Sequence, residues 1–386
     1  MYNIKTLNKI ASCGLNLLDK RMFAVSDECE NPDGIILRSF NMHEMELGDN
    51  LKAIARAGAG TNNIPVDKCS EKGIVVFNTP GANANAVKEL VLAGLLLSSR
   101  KITDGINWAN TLTGDDVAKQ VEKGKKEFVG PELEGKTLGI IGLGAIGVMV
   151  ANAAYHLGMN VIGYDPYISV SAAWGLSRHV NKADSLEKMV EECDYISVHV
   201  PLMDSTRGMI DEELLNRAKK GVRVLNFARG ELVNNADMKK ALEDGVVSCY
   251  VTDFPTEEVI GMKNTICIPH LGASTPESED NCAVMASKEI DNFLVDGNIR
   301  NSVNFPNCEL PRETKCRITI AHMNVPNMLT TFSKLMSDDN INISNMINKS
   351  KKDYAYTIID VDEIVDDSIV AEIEAIENVL KARIIK

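Results

Sequence analysis

KTLGIIGLGAIGVMVANAAYHLGMNVIGYD, residues Lys136 to Asp165, decides how the rest of this chain is read. Thr137 to Ile141 is a short apolar run of the kind shown by a strand covered on both faces. It breaks at Gly142, Gly144 and Gly147, and an apolar stretch of helical length leads to a second short run, Asn160 to Tyr164. The pattern is strand, turn, helix, strand. In such a unit the first glycine permits a tight turn, the second lets a pyrophosphate approach the backbone, and the third lets helix and strand pack closely. The helix then opens at Ala145, Ile146 and Gly147, whose N–H groups and partial positive charge face an anion.

Asp165 closes the second strand, where a carboxylate accepts hydrogen bonds from both hydroxyls of an adenosine ribose. A 2'-phosphate would be repelled there, and the residues that follow, PYISVSAAWG, offer no Arg or Lys to hold one. The expected cofactor is therefore NAD.

The chain has 386 residues, enough for two or three domains with real cores. A formal charge of −13 argues against nucleic acid or an anionic membrane as partner, since both need basic faces. Leu138 to Met159 carries no Asp, Glu, Lys or Arg, but its glycines, Asn152 and His156 interrupt it, and a buried Rossmann unit explains its apolarity. The start, MYNIKTLNKIASCGLNLLDK, lacks the apolar core of a signal peptide. Nine scattered cysteines without any C-x-x-C read as reduced thiols of a cytoplasmic protein, with no metal site and no disulfide framework.

Upstream, Gly34 to Leu37, Leu51 to Ala55 and Gly73 to Phe77 are apolar runs separated by turn signals, which makes residues 1–95 a smaller α/β domain. Arg38-Ser39 and the corner from Arg56 through Ala59 and Gly60 to Asn63 follow two of these runs. Ligands of open α/β sheets sit beyond strand carboxyl ends, so both corners are candidate substrate contacts, against the plainer reading of surface cations. Asn85 to Arg100 reads as a buried helix leading into a nucleotide domain over 96–276.

Past Asp165 the alternation continues, and four strand ends present His199, Arg229, Asp253 and His270 on the edge of the glycine loop. A helix from Ala283 to Val295 returns the chain to the first domain, which 277–305 completes. Asn298 to Pro311, rich in Asn and Pro, reads as a linker, and a chain ending near Pro306 is expected to keep its activity. Residues 312–386 follow β-α-β-β-α-β, the order of a ferredoxin-like sandwich. The fold class is thus α/β: a doubly wound Rossmann domain, a discontinuous smaller α/β domain and a C-terminal α+β domain.

Oxidising an alcohol beside a carboxylate requires a base for the hydroxyl proton, a cation for the carboxylate and a group that orients the base. His270 suits the base, because imidazole titrates near neutral pH. Arg229 can grip a carboxylate with two parallel N–H bonds. Glu258 is the proposed orienting carboxylate, and the adjacent Glu257 competes for that role. Asp253 is cast as a contact to the nicotinamide or its ribose.

GLGAIG, NFARG, the step from Asp253 to Glu258 and PHLGAST together resemble the D-isomer-specific 2-hydroxyacid dehydrogenases, over nearly the whole chain. AGAGTNNIPVDKCSEKGIVVFNTPGANANAVKELVL and PHLGASTPESEDNCAVMA resemble the phosphoglycerate branch that carries a C-terminal ACT domain. The resemblance implies Arg229, Glu258 and His270 as the catalytic three. It implies cofactor contacts from His199, Val200, Pro201, Thr206, Ala228, Asp253 and Gly272, and phosphate contacts from Arg38 and Ser39. FPTEEV after Asp253 departs from the family's usual aromatic and Glu-Pro. His322, Asn324 and Asn342 resemble positions that bind serine between paired ACT domains, with Asn327 where a glycine is usual.

The resemblance implies NAD-dependent oxidation of 3-phospho-D-glycerate to 3-phosphohydroxypyruvate, the entry to serine synthesis, by a homodimer or homotetramer with serine as an effector. The competing readings are a dehydrogenase of another D-2-hydroxy acid (glycerate, lactate or 2-hydroxyglutarate) and a non-catalytic NAD or amino-acid sensor.

Overall fold

The computed structural model describes residues 1–386, and its contacts divide the chain into two compact units. One comprises Met1–Asn83 with Pro276–Lys386, the other Ala84–Thr275.

The first unit holds a five-stranded parallel sheet: β1 (Tyr2–Leu7), β2 (Phe23–Ser26), β3 (Gly34–Leu37), β4 (Ala53–Arg56) and β5 (Val75–Asn78), in the order β2-β1-β3-β4-β5. All four residues of β3 are buried, as in a parallel strand covered on both faces. β1 and β2 escape a pattern reading because in YNIKTL only Ile4, and in FAVS only Phe23, is buried. β4 and β5 start two residues later than expected; Gly73, at φ +67°, still belongs to the turn before β5.

The second unit is built on a seven-stranded parallel sheet: β6 (Thr137–Ile141), β7 (Asn160–Tyr164), β8 (Asn181–Lys182), β9 (Tyr195–Val198), β10 (Val222–Asn226), β11 (Val247–Thr252) and β12 (Thr265–Cys267). Their order, β12-β11-β10-β9-β6-β7-β8, reverses between β6 and β9. That reversal is the switch point of a doubly wound sheet, where ligands bind beyond the strand carboxyl ends. The helix Ala84–Arg100 buries Val87, Val91, Leu95 and Ser98 at helical spacing. The boundary expected at residue 95 falls inside this helix, which belongs whole to the second unit. The polar segment after it forms the helices Ile102–Ala109 and Val117–Gly124, neither of which buries a residue. No helix of the chain is long and apolar enough to cross a membrane.

The helix Pro276–Asp296 starts seven residues before the expected Ala283. Pro276 at its first position and Glu277 and Glu279 in its first turn are favourable start signals. Beyond it, β13 (Cys316–Met323), the helix Met328–Asp338, β14 (Ile343–Lys351), β15 (Tyr354–Val361), the helix Ser368–Glu374 and β16 (Val379–Ile385) form an antiparallel sheet ordered β14-β15-β13-β16. One face of this sheet, with Ile318, Ile320 and Ile359, packs on Phe332, Met336 and Ile373 of its own two helices.

The opposite face corrects an expectation. Ala321, Tyr356 and Ile358 join one hydrophobic core with Phe77, Phe293, Leu294, Ile299 and Phe305 of the first sheet's domain. The segment 298–311 is therefore no free linker: Ile299, Ser302, Asn304, Phe305 and Cys308 are buried, and Asn304 accepts from Val76 N while donating to Ile74 O. Its Asn and Pro content serves tight turns inside a core.

Candidate active site

β6 delivers the chain into the glycine loop. Gly142 sits at φ +92°, and a Cβ there would lie 2.8 Å from the His199 carbonyl oxygen. At Gly147 a Cβ would come within 2.0 Å of Gly142 O, so neither position accepts a side chain. Around Gly144, by contrast, a Cβ would meet nothing within 4 Å. Gly144 is the N-cap of the helix Ala145–His156 and offers no side-chain cap, so the first-turn N–H groups remain available to an anion.

The Asp165 carboxylate braces this loop, with Oδ2 accepting from Leu143 N and Oδ1 from Tyr167 N, both at 2.8 Å. Each oxygen retains a second lone pair for a ribose hydroxyl. His199 ends β9 with Nε2 2.8 Å from Ser197 Oγ, while burial pushes its pKa down to about 4 and leaves Nδ1 without a partner. The loop after it is closed by Thr206, whose Oγ1 donates to Pro201 O at 2.7 Å and accepts from Met203 N at 2.8 Å.

At the end of β10, Asn226 is fully buried and sets the turn that presents Arg229. Its Oδ1 accepts from Ala228 N at 3.2 Å, and its Nδ2 donates to Arg229 O at 2.8 Å. The guanidinium of Arg229 is exposed and donates to Ala228 O. Asp253 ends β11 buried. Its Oδ2 accepts from Gly272 N at 3.3 Å, and its Oδ1 has no partner. Burial raises the Asp253 pKa, an effect opposed by the nearby charges of His270 and Arg229. Gly272 thus bonds Asp253 directly, His270 shares a cavity with it, and Arg229 stands near enough for its charge to act on the carboxylate.

The His270 ring lies 4.9 Å from that of Phe254 and lines an open cavity of about 510 Å³ together with Asp253, Gly230, Asn235 and Val259. No hydrogen bond joins His270 to Glu257 or Glu258. Both glutamates are exposed on the short helix Glu257–Ile260, and Glu258 Oε2 accepts instead from Asn235 Nδ2 at 3.1 Å. Spacing along the chain gave no sign of Asn235, because it acts through Glu258 on another loop, whereas Asn226 acts within its own turn.

The residues fit a dinucleotide. The loop has open space at Gly144, Asp165 stands at the second strand's end, and the buried, unpartnered Asp253 Oδ1 calls for a donor such as a carboxamide N–H₂.

In the first unit, the Arg38 main-chain oxygen accepts from Arg56 Nε at 3.0 Å and Asn63 Nδ2 at 3.2 Å. Asn8 Oδ1 accepts from Ser39 N, and Ala59 O from Asn78 Nδ2, so both expected substrate corners are held by side chains. The Arg38 guanidinium pairs with Glu279 Oε1 at 2.6 Å.

The effector residues stand differently from their expected placement on one seam. His322 lies inside β13 and is buried, with Nδ1 2.8 Å from Met323 O and Nε2 2.9 Å from Thr357 Oγ1. A ring engaged on both nitrogens and packed edge-on against Phe332 has no free donor for a ligand. Asn324 donates to Lys352 O at one end of the sheet, and Asn342 to Asp362 Oδ2 at the other. Asn327 adopts φ +71°, so the backbone keeps the left-handed shape that glycine would give.

Residues 93–272 match the model of the D-isomer specific 2-hydroxyacid dehydrogenase NAD-binding domain. These residues form this family's NAD-binding domain. Curated relatives include the D-3-phosphoglycerate dehydrogenase of Homo sapiens, 36% identical over 69% of this chain and 49% of its own. That of Methanocaldococcus jannaschii is 33% identical over 83% of this chain and 60% of its own. The chain therefore spans about half the length of the curated relatives it matches. A crystal structure of NAD⁺-bound 3-phosphoglycerate dehydrogenase from Entamoeba histolytica aligns with a TM-score of 0.61 and 28% identity, over 78% of this chain and 98% of that one. The matched segment is thus the part of the chain that carries the NAD-binding domain.

Proposed function

We propose that this chain is an NAD-dependent oxidoreductase that converts 3-phospho-D-glycerate to 3-phosphohydroxypyruvate, the first step of serine synthesis. The observation that carries the reading is the meeting of Asp253, His270 and Arg229 at strand ends beside a glycine loop that fits a dinucleotide.

Gly142, Gly144, Ala145, Ile146 and Gly147 hold the pyrophosphate, and Asp165 the adenosine ribose. Val200, Pro201, Thr206 and Ala228 line the cofactor, and Asp253 receives the carboxamide. When bound, NAD supplies the nicotinamide ring that accepts a hydride from C2 of the substrate. Arg229 holds the substrate carboxylate and polarises the forming carbonyl, which is worth most where water is excluded. His270 takes the hydroxyl proton as the C2–H bond breaks, so the alcohol loses one proton and one hydride. Glu258 supports the imidazolium once it exchanges Asn235 for His270. Arg38 and Ser39 contact the phosphate.

A second reading, a dehydrogenase of an unphosphorylated 2-hydroxy acid, is favoured by one observation: the Arg38 charge is already met by Glu279. NAD reduction measured side by side with 3-phosphoglycerate, D-glycerate, D-lactate and D-2-hydroxyglutarate separates the two. Phosphoglycerate should give the highest kcat/KM, and equal or better use of glycerate would overturn the first reading. NADP should be a poor substitute, since the Asp165 carboxylate repels a 2'-phosphate.

We further propose that the chain works in the cytoplasm as a homodimer or homotetramer. Ile102, Ile106, Val117 and Val129, exposed apolar residues on or beside the helices after Arg100, support association.

A further inference from the structure

The Arg38 guanidinium, the cation proposed to read the substrate phosphate, already has an anionic partner. Its Nη1 lies 2.6 Å from Glu279 Oε1, and the two side chains are 39% and 46% exposed. Glu279 stands in the first turn of the helix Pro276–Asp296, where the helix N-terminus stabilises a negative charge. The main chain at Arg38 is fixed by Arg56 and Asn63, so the corner is rigid while the guanidinium itself is gripped by a carboxylate.

We propose that Glu279 is a competitive plug of the Arg38 subsite, a carboxylate that a phosphorylated substrate displaces and uncharged groups do not. The proposal rests on the reading of Arg38 as the phosphate contact. An ion pair this exposed is weak, so opening it is cheap for a strong competitor. A phosphate monoester brings a charge of about −1.5 to −2 and three acceptor oxygens, against one charge and two oxygens for Glu279. It therefore wins the guanidinium. The hydroxymethyl group of glycerate or the methyl group of lactate carries no charge and leaves the pair closed. A substrate ending in a second carboxylate meets an equal competitor. Glu279 thus weakens the subsite for anionic groups and leaves uncharged ones untouched, so that Arg38 without it would favour the phosphate more strongly.

The test is Glu279→Gln, which keeps the shape of the side chain and removes its charge, in the full-length protein. KM for 3-phosphoglycerate should fall about two- to five-fold, in line with the worth of an exposed ion pair. Inorganic phosphate as a competitive inhibitor should tighten by a similar factor, and KM for D-glycerate should stay put. Glu277→Gln, one charge removed on the same helical turn, should leave these constants unchanged. In an Arg38→Ala background the Glu279→Gln effect should vanish. The plug is overturned if Glu279→Gln leaves phosphoglycerate and phosphate binding unchanged, if Glu277→Gln reproduces its effect, or if the effect persists without Arg38. If Arg38→Ala leaves KM for phosphoglycerate unaltered, the reading of Arg38 itself falls, an outcome distinct from the failure of the plug.

Discussion

Arg317 and Asp360 form a two-pronged ion pair with no solvent exposure, Nε to Oδ1 at 2.6 Å and Nη2 to Oδ2 at 2.9 Å. The same guanidinium donates to Asp296 O at 2.7 Å and Pro311 O at 3.1 Å, so it binds β13 to β15 and both to the end of the helix Pro276–Asp296. Removing one partner strands a buried charge, which costs about 3–5 kcal/mol. Asp360→Ala should lose stability of that order in urea unfolding followed by circular dichroism. Replacing both residues with Met and Leu should recover much of the loss, and a double variant no better than the single one would show that the pair itself is worth more than apolar packing.

The same interface sets the outcome of truncation. Cutting the chain near Pro306 uncovers Phe293, Leu294, Ile299 and Phe305, and it strips Lys381 Nζ from the carbonyls of Asp49 and Leu51. Arg383, lying 4.1 Å over the Phe293 ring, is lost as well. The shortened protein should bind a hydrophobic dye and aggregate instead of retaining activity. A soluble, fully active product would show that the shared core is dispensable.

How far the sequence reaches is clear from particular elements. β6 and β7 fall on the expected residues, and the C-terminal elements follow the expected β-α-β-β-α-β order, because strand runs, glycines and helical periods are local signals. β1 was invisible because its outward residues are polar and only Ile4 marks the core. Arg317 reads as a polar position in CRITIAHM, yet it is among the most buried side chains, a fact set by Asp360 some forty residues away. The strand-end placement of Arg229, Asp253 and His270 was legible. The contacts of Asn235 and Glu279 were not, since each depends on a partner that only tertiary packing supplies.

Mutation of His270, the proposed base, gives the most direct kinetic result. His270→Ala should lower turnover by about two to four orders of magnitude, the usual worth of a positioned acid-base group. NADH affinity, read by fluorescence titration, should change little. Near-normal turnover would remove His270 from the mechanism.

Glu289 makes stability depend on pH. Buried in the helix Pro276–Asp296, it accepts from Asn301 Nδ2 on Oε1 and has no partner on Oε2, and burial pushes its pKa up to about 8. A folded-state pKa above the unfolded one means that its contribution is fully present below about pH 4.5 and is lost as pH rises through about 8. Glu289→Gln keeps the acceptor for Asn301 and cannot ionise. It should match the wild type near pH 5 and exceed it above pH 8 by an amount on the order of a few kcal/mol. Parallel stability curves for the two proteins across that range would show that Glu289 does not titrate there.

Serine binding, if it occurs, must use two copies of the chain. Lys351 and Met323 both pair with Tyr354 at one end of the C-terminal sheet, which places Asn324 there, whereas Ile343 pairs with Val361 at the far end, beside Asn342. β14 has nine residues, so the two asparagines lie roughly 25 Å apart at about 3.3 Å per residue, too far for one small ligand. β14 is also an open edge of the sheet, and edges of this kind pair with a second copy. Antiparallel pairing about a two-fold axis brings the start of one β14 to the end of the other, and so Asn342 to Asn324 of the partner subunit. With His322 sealed inside its own domain, these two side chains would carry the polar recognition. Asn324→Ala and Asn342→Ala should each abolish serine binding measured by calorimetry. Mixed subunits of the two variants should recover half the sites, because one of the two seams then keeps both asparagines. Full-length protein that binds no serine at millimolar concentration would end the regulatory reading. Binding that survives in both single variants would place the ligand elsewhere.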